Sequence, residues 1–230
     1  MKHLLLGILF FSLALPVFCD VTLVEKTHSD AVMDKPAHDG TKTIYVKGNK
    51  ARFDLNTPGN YMILDLTAKK FFVVNTQKKE VTEGPSDFIK NSSGMMGQMK
   101  IDSKLTEGTE QKVIAGYKCK EYRLTSTSQM MNLDSSIWMT QDVDTKELDP
   151  YKAVMQESFK SITGADLGKL QGLTVASQTK MTMMGKTVNS STELQSLSRK
   201  PIPDSVFVIP ADFKVNEMKM PAAQTHPQTH

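Results

Sequence analysis

Histidine is missing from the body of this 230-residue chain, and cysteine nearly so. The five histidines, His3, His28, His38, His226 and His230, all lie in the N-terminal or C-terminal margins, and the two cysteines are Cys19 and Cys119. A lone thiol is a catalytic candidate where a histidine and an Asn or Asp can be brought beside it to draw off its proton. His28 could serve Cys119 only if its strand packed there. Cys119 therefore reads as a small apolar residue on the inner face of a strand, alongside Tyr117 two positions earlier. The phosphate-cradling loop is missing too, since "GADLGKLQG" lacks the Gly-Lys-Ser/Thr ending. So is the Gly-x-Ser-x-Gly elbow of serine hydrolases. Lys and Arg number 28 against 25 Asp and Glu, a net charge of +3, and they are scattered singly. That excludes a basic patch with interleaved aromatics and, with it, a nucleic-acid partner. The expectation is a protein that is not an enzyme and needs no cofactor.

Long apolar runs are also lacking, with one exception at the start. In "MKHLLLGILFFSLALPVFCDVTLVEK" a Lys and a His precede an apolar run from Leu4 to Leu15, too short to span a bilayer comfortably. Val17 and Cys19 fit the −3 and −1 positions of a signal-peptidase site, with cleavage before Asp20. A lipid-anchored reading would keep Cys19 as the modified first residue, but Phe18 is bulky where such sites have a small residue. Residues 1–19 are thus expected to be a signal peptide, and the mature chain to be exported to the periplasm or secreted, with no transmembrane segment. Loss of Cys19 leaves Cys119 alone and an intramolecular disulfide impossible.

What remains is about 211 residues, enough for one sizeable domain over 20–217, followed by a disordered Pro-, Gln- and Thr-rich tail over 218–230. Its pattern is the alternation of half-buried strands. In "KTIYVKGNKARFDL", Ile44 and Val46 share a face, Gly48-Asn49 turns the chain, and Ala51, Phe53 and Leu55 resume. In "NYMILDLTAKKFFVVNT", Met62, Leu64 and Leu66 lead to a polar turn, and Phe72 and Val74 return. In "TVASQTKMTMMGKTVNSSTELQSL", Val175, Met181 and Met183 precede a Gly185-Lys186 turn and a strand through Val188 and Leu194. One segment breaks the period: in "LDPYKAVMQESFKSITG", Asp149 can cap, Pro150 suits the first helical position, and Gly164 suits the left-handed residue after the last turn. Tyr151, Val154, Met155, Phe159 and Ile162 fall on one stripe of this helix, which is expected to cover one face of the sheet. A second, shorter helix is expected from Ser86, and the Met-rich run Asn91 to Met99 is expected to be a loop. The spaced acids Asp142 and Asp144 read as turn caps or a solvated strand end, because the glycine and further oxygens of a calcium loop are missing.

Four motifs in order carry a family resemblance: "KGNKAR" at Lys47 to Arg52, "GYKCKEY" at Gly116 to Tyr122, "WMTQD" at Trp138 to Asp142, and "FVIPADF" at Phe207 to Phe213. They resemble the exported bacterial family known as domain of unknown function 4412. The resemblance implies a fold like that of the lipoprotein carriers of the Gram-negative periplasm: a curved antiparallel sheet or incomplete barrel, lidded by helices around an apolar cavity that holds acyl chains. The family has no assigned activity, so the resemblance informs fold more than function.

Fifteen methionines are the chain's compositional excess. Three readings of them stand: plain core, an adaptable lining for acyl chains, or soft ligands for Cu(I), for which Met218, Met220, His226 and His230 would be the set. The expected function is non-enzymatic binding of a lipid, acyl chain or other hydrophobic small molecule in the cell envelope, with an envelope protein as a second partner. The candidate lining is Phe53, Phe72, Val74, Trp138, Val154, Met155, Phe159, Met181 and Met183. The alternatives are a copper-binding envelope protein and a structural envelope protein with a filled core.

Overall fold

The computed structural model describes residues 20–32, 36–55, 57–87, 101–183 and 185–218. Among them twelve strands form one sheet. The first wing is β1 (Val21–Ser29), β2 (His38–Lys47), β3 (Lys50–Asp54), β4 (Asn60–Asp65), β5 (Lys70–Asn75) and β6 (Glu80–Pro85). The second is β7 (Asp102–Ile114), β8 (Tyr117–Thr127), β9 (Met131–Thr140), β10 (Leu173–Met183) and β11 (Lys186–Ser198), and β12 (Lys214–Glu217) closes the series. Across the sheet the order is β12-β6-β5-β4-β3-β2-β1-β11-β10-β9-β8-β7. Each wing is an antiparallel meander, and pairing of β11 with β1 joins the two. β12 alone runs parallel to its neighbour, β6. The protein is mainly β, a large curved and unclosed sheet.

Helix α1 (Asp149–Thr163) is inserted between β9 and β10. Pro150 sits in its first turn, and Gly164 ends it in the left-handed conformation at φ 74°. Asp149 does not cap as expected. It lies inside the first turn and pairs with Lys152, 2.6 Å away and one turn on. The shorter helix expected from Ser86 and the Met-rich run 91–99 fall almost wholly outside the described residues, as do 1–19 and 219–230.

Cross-strand partners share a face, so the register sorts the side chains. Phe53, paired with Ile44 and Met62, and Phe71, paired with Leu64, face α1 with Leu23 and Val46. Leu148, Tyr151 and Val154 pack on them, the Phe53 and Tyr151 rings 5.1 Å apart and tilted by 40°. Each such large side chain taken out of water contributes about 1.5–3 kcal/mol, and the ring pair adds roughly 0.5–1.5 kcal/mol. The opposite face of the first wing carries Tyr61, Ile63, Phe72, Val74 and Val81, closed by Ile209 and Phe213 of the C-terminal segment. That segment is fastened by backbone contacts: Lys47 donates to the Ile202 carbonyl (2.7 Å), Arg52 to the Val206 carbonyl (3.0 Å), and the Ile202 N–H to Asp20 (2.6 Å). Phe72 and Val74 thus lie on the face away from α1, one position out of phase with the expected hairpin. In "KFFVVN" both faces of β5 are apolar, so alternation alone could not choose between them, and the turn at 66–69 sets the register.

Candidate functional site

Beneath α1 the packing is incomplete. A cavity of about 220 Å³ lies between the helix and the sheet. Its floor is Leu23 of β1, Ile44 of β2, Met139 of β9 and Leu173 of β10; its roof is Tyr151, Met155 and Phe159 of α1; Leu148, Leu167 and Leu170 close its sides. The roof residues recur at the helical spacing, so one stripe of α1 supplies them all. Gly172 admits the side wall. Its φ is 101°, and a Cβ there would stand 2.1 Å from the Thr140 carbonyl oxygen. Only glycine lets the chain pass that close to β9.

Charge reaches the cavity at two points, and each is paired. Glu25 on β1 faces Lys42 of β2 at 3.7 Å. Lys152 on α1 is bound by Asp149 and, at 2.8 Å, by the Thr145 hydroxyl. Burial pushes the Tyr151 phenol well above its ordinary value, and the charge of Glu25 adds to that, so the ring stays neutral. On one side the cavity opens between α1 and the loop at 168–172 into a cleft of about 400 Å³, with which it shares Lys152, Gln156, Leu170 and Gly172. The apolar chamber therefore has a polar mouth.

Of the residues expected to line a cavity, Met155 and Phe159 do so. Val154 and Phe53 are buried in the cluster that α1 covers, next to the chamber. Phe72 and Val74 belong to the other face, as above. Trp138 also points away from α1: it pairs with Glu121 and Ala176, the Lys112 ammonium lies 3.5 Å over its ring, and the strand places Ile137 and Met139 on the helix side. Met181 and Met183 do share the α1 side, opposite Leu133 and Met131, but near the tip of the β10–β11 hairpin, outside the lining. Reading the sequence missed Leu23, Ile44, Met139, Leu167, Leu170, Leu173 and the mouth residues. Ile44 carried a usable signal, since it lies between Thr43 and Tyr45 in the same alternating hairpin as Phe53, whereas Leu23 is followed by the apolar Val24.

The remaining candidates are dispersed. Cys119 is a β8 residue, 3% exposed, whose thiol donates to the Tyr117 carbonyl, and burial pushes its pKa up. His28 is held elsewhere, by Asp39 at 2.8 Å and Asp30 at 3.3 Å. Asp144 accepts the Lys146 N–H two residues on, as a turn cap does, whereas Asp142 accepts the N–H of Lys118, 24 residues away on β8. Met218 packs beside Gly84 in the cluster around Phe71, while Met220, His226 and His230 lie outside the described residues. Among the described residues no three His, Cys, Asp or Glu side chains converge to hold a metal ion.

A curved open sheet, one face closed by a C-terminal strap and the other roofed by a helix over an apolar chamber, defines a class of small β folds with a lidded interior. Residues 30–213 match the family described as a domain of unknown function (DUF4412), and the chain belongs to that family. No curated protein matches it in sequence. Among solved structures, the chain is similar to PNGF-II in two crystal forms, at 13% and 12% identity with TM-scores of 0.40 and 0.43. Each match covers 86% of this chain but only 31% of that one. It is also similar to a domain described as part of an outer membrane lipoprotein-sorting protein from Vibrio parahaemolyticus, at 10% identity and a TM-score of 0.36, covering 84% of this chain and 90% of that one. At these identities no residue role transfers.

Proposed function

We propose that the protein is a non-enzymatic binder of a hydrophobic ligand, an acyl chain or other lipid, in the cell envelope. The observation that carries this reading is the apolar chamber under α1, roofed by Tyr151, Met155 and Phe159. Its driving force would be removal of apolar area from water, about 25 cal/mol per Å². Binding rather than chemistry fits the chamber, because its charged groups, Glu25 and Lys152, are each engaged in an ion pair and His28 is held by two carboxylates at the far end of β1. An envelope location is supported by the apolar run Leu4 to Leu15 and the Val17 and Cys19 spacing of the N-terminus.

The chamber is smaller than the roughly 300–1,000 Å³ of typical ligand pockets. At about 30 Å³ per water-sized group, it takes about seven methylene-sized groups. Longer chains need α1 to rise from the sheet. The fluorescent apolar probe N-phenyl-1-naphthylamine tests the reading. Its emission should rise on binding, the rise should be reversed by a competing fatty acid, and it should be lost in Phe159→Glu while circular dichroism still reports the sheet. Undiminished binding by the folded variant would contradict the placement of the ligand under α1.

A further inference from the structure

We infer that the ligand of the α1 chamber is a single-chain amphiphile with a carboxylate head, seated with its tail under the helix and its head at Lys152. This deepens the binding reading above and rests on it. The chamber is lined mainly by apolar side chains, and of its polar lining residues Lys152 and Gln156 also line the 400 Å³ cleft that it joins. A molecule that fills the chamber and passes through that mouth must present its end to an ammonium and two amides, those of Gln156 and of Gln171 in the cleft.

Charge complementarity selects the head. Lys152 already holds a carboxylate, that of Asp149, and the Thr145 hydroxyl lies beside the same ammonium. The Asp149 side chain is 61% exposed, so giving up this partner returns it to water at little cost. A ligand carboxylate can take its place in the same geometry, while Gln156, which has no hydrogen-bond partner among the described residues, supplies an amide N–H to the second oxygen. Glu25, the other charge at the chamber, is 18% exposed and already paired with Lys42, so it offers a carboxylate head no free cation. Chamber size excludes a second chain.

Displacement of N-phenyl-1-naphthylamine by decanoate and by decan-1-ol, at neutral pH and low salt, separates head from tail. The full chain should prefer decanoate by about fivefold, the equivalent of one partly exposed ion pair. Lys152→Met keeps the apolar stem and should abolish that preference by weakening decanoate more than decan-1-ol. Asp149→Asn removes the competing carboxylate and should strengthen decanoate binding alone. Equal affinities in the unaltered protein, or a preference that survives Lys152→Met, would overturn the head assignment with the chamber intact. Displacement by neither ligand would overturn both the assignment and the binding reading.

Discussion

At the residue scale the second wing hides an ion where the sequence shows only a surface-like charge. Glu121 is 1% exposed, and its Oε1 accepts from Arg123 and from Ser136, both at 3.0 Å. Its Oε2 and the Nε1 of Trp138, its cross-strand neighbour, are buried with no hydrogen-bond partner among the described residues. Burial raises the Glu121 pKa, and the Arg123 and Ser136 bonds outweigh it, leaving the carboxyl below its ordinary value. In "GYKCKEY" the period of two that placed Cys119 inside also places Glu121 there. The signal was legible, but a carboxylate is so seldom buried that its type argued against its position. His28 offers a cleaner test of local electrostatics. Hydrogen bonds to Asp39 and then Asp30 raise its pKa above 6.5. A group with a raised folded value contributes fully below 6.5 and loses that contribution as pH rises through the folded value. NMR titration should show this upward displacement, and Asp39→Asn should remove most of it. An unshifted His28 would contradict the pairing.

At the element scale, close approaches of backbone decide which strands can pair. β7 bulges between Glu107 and Gln111, and Gly108 within the bulge lies directly over Glu121. A Cβ at Gly108 would come 2.4 Å from Glu121 Oε2 and 2.8 Å from its Cβ. Gly108→Ala should therefore lower stability by roughly 1–3 kcal/mol, which a thermal melt would read as a drop of several degrees. An unchanged melting temperature would show that β7 can shift without loss. The sequence announced the hairpins and the helix, because alternation and the Pro150 and Gly164 signals are local. It could not announce bulges, which are set by the partner strand. Nor could it choose the buried face of β5, where Phe71, Phe72, Val73 and Val74 satisfy either register.

At the scale of the whole molecule, two covers make the sheet usable. The C-terminal strap closes one face of the first wing through Ile209 and Phe213, and α1 roofs the other face. The strap is fastened by Lys47, Arg52 and Asp20, whereas the far end of α1 is held to the second wing by Ser103, which donates to the Thr163 carbonyl and lies 2.8 Å from Ser126 Oγ. The pairing of β1 with β11 brings the two ends of the chain together and sets Leu23 and Ile44 under α1. It is a contact between segments about 170 residues apart, and no local pattern specifies it. For that reason the mainly β class and the lid helix were readable, while the chamber's floor was not. Native mass spectrometry of the full chain, purified without detergent and incubated with saturated fatty acids from octanoate to octadecanoate, tests whether an acyl chain binds under α1. One noncovalent adduct per chain is expected, lost on denaturation and absent from Phe159→Glu. A bare polypeptide under every condition, or the same adduct on the folded variant, would contradict binding there.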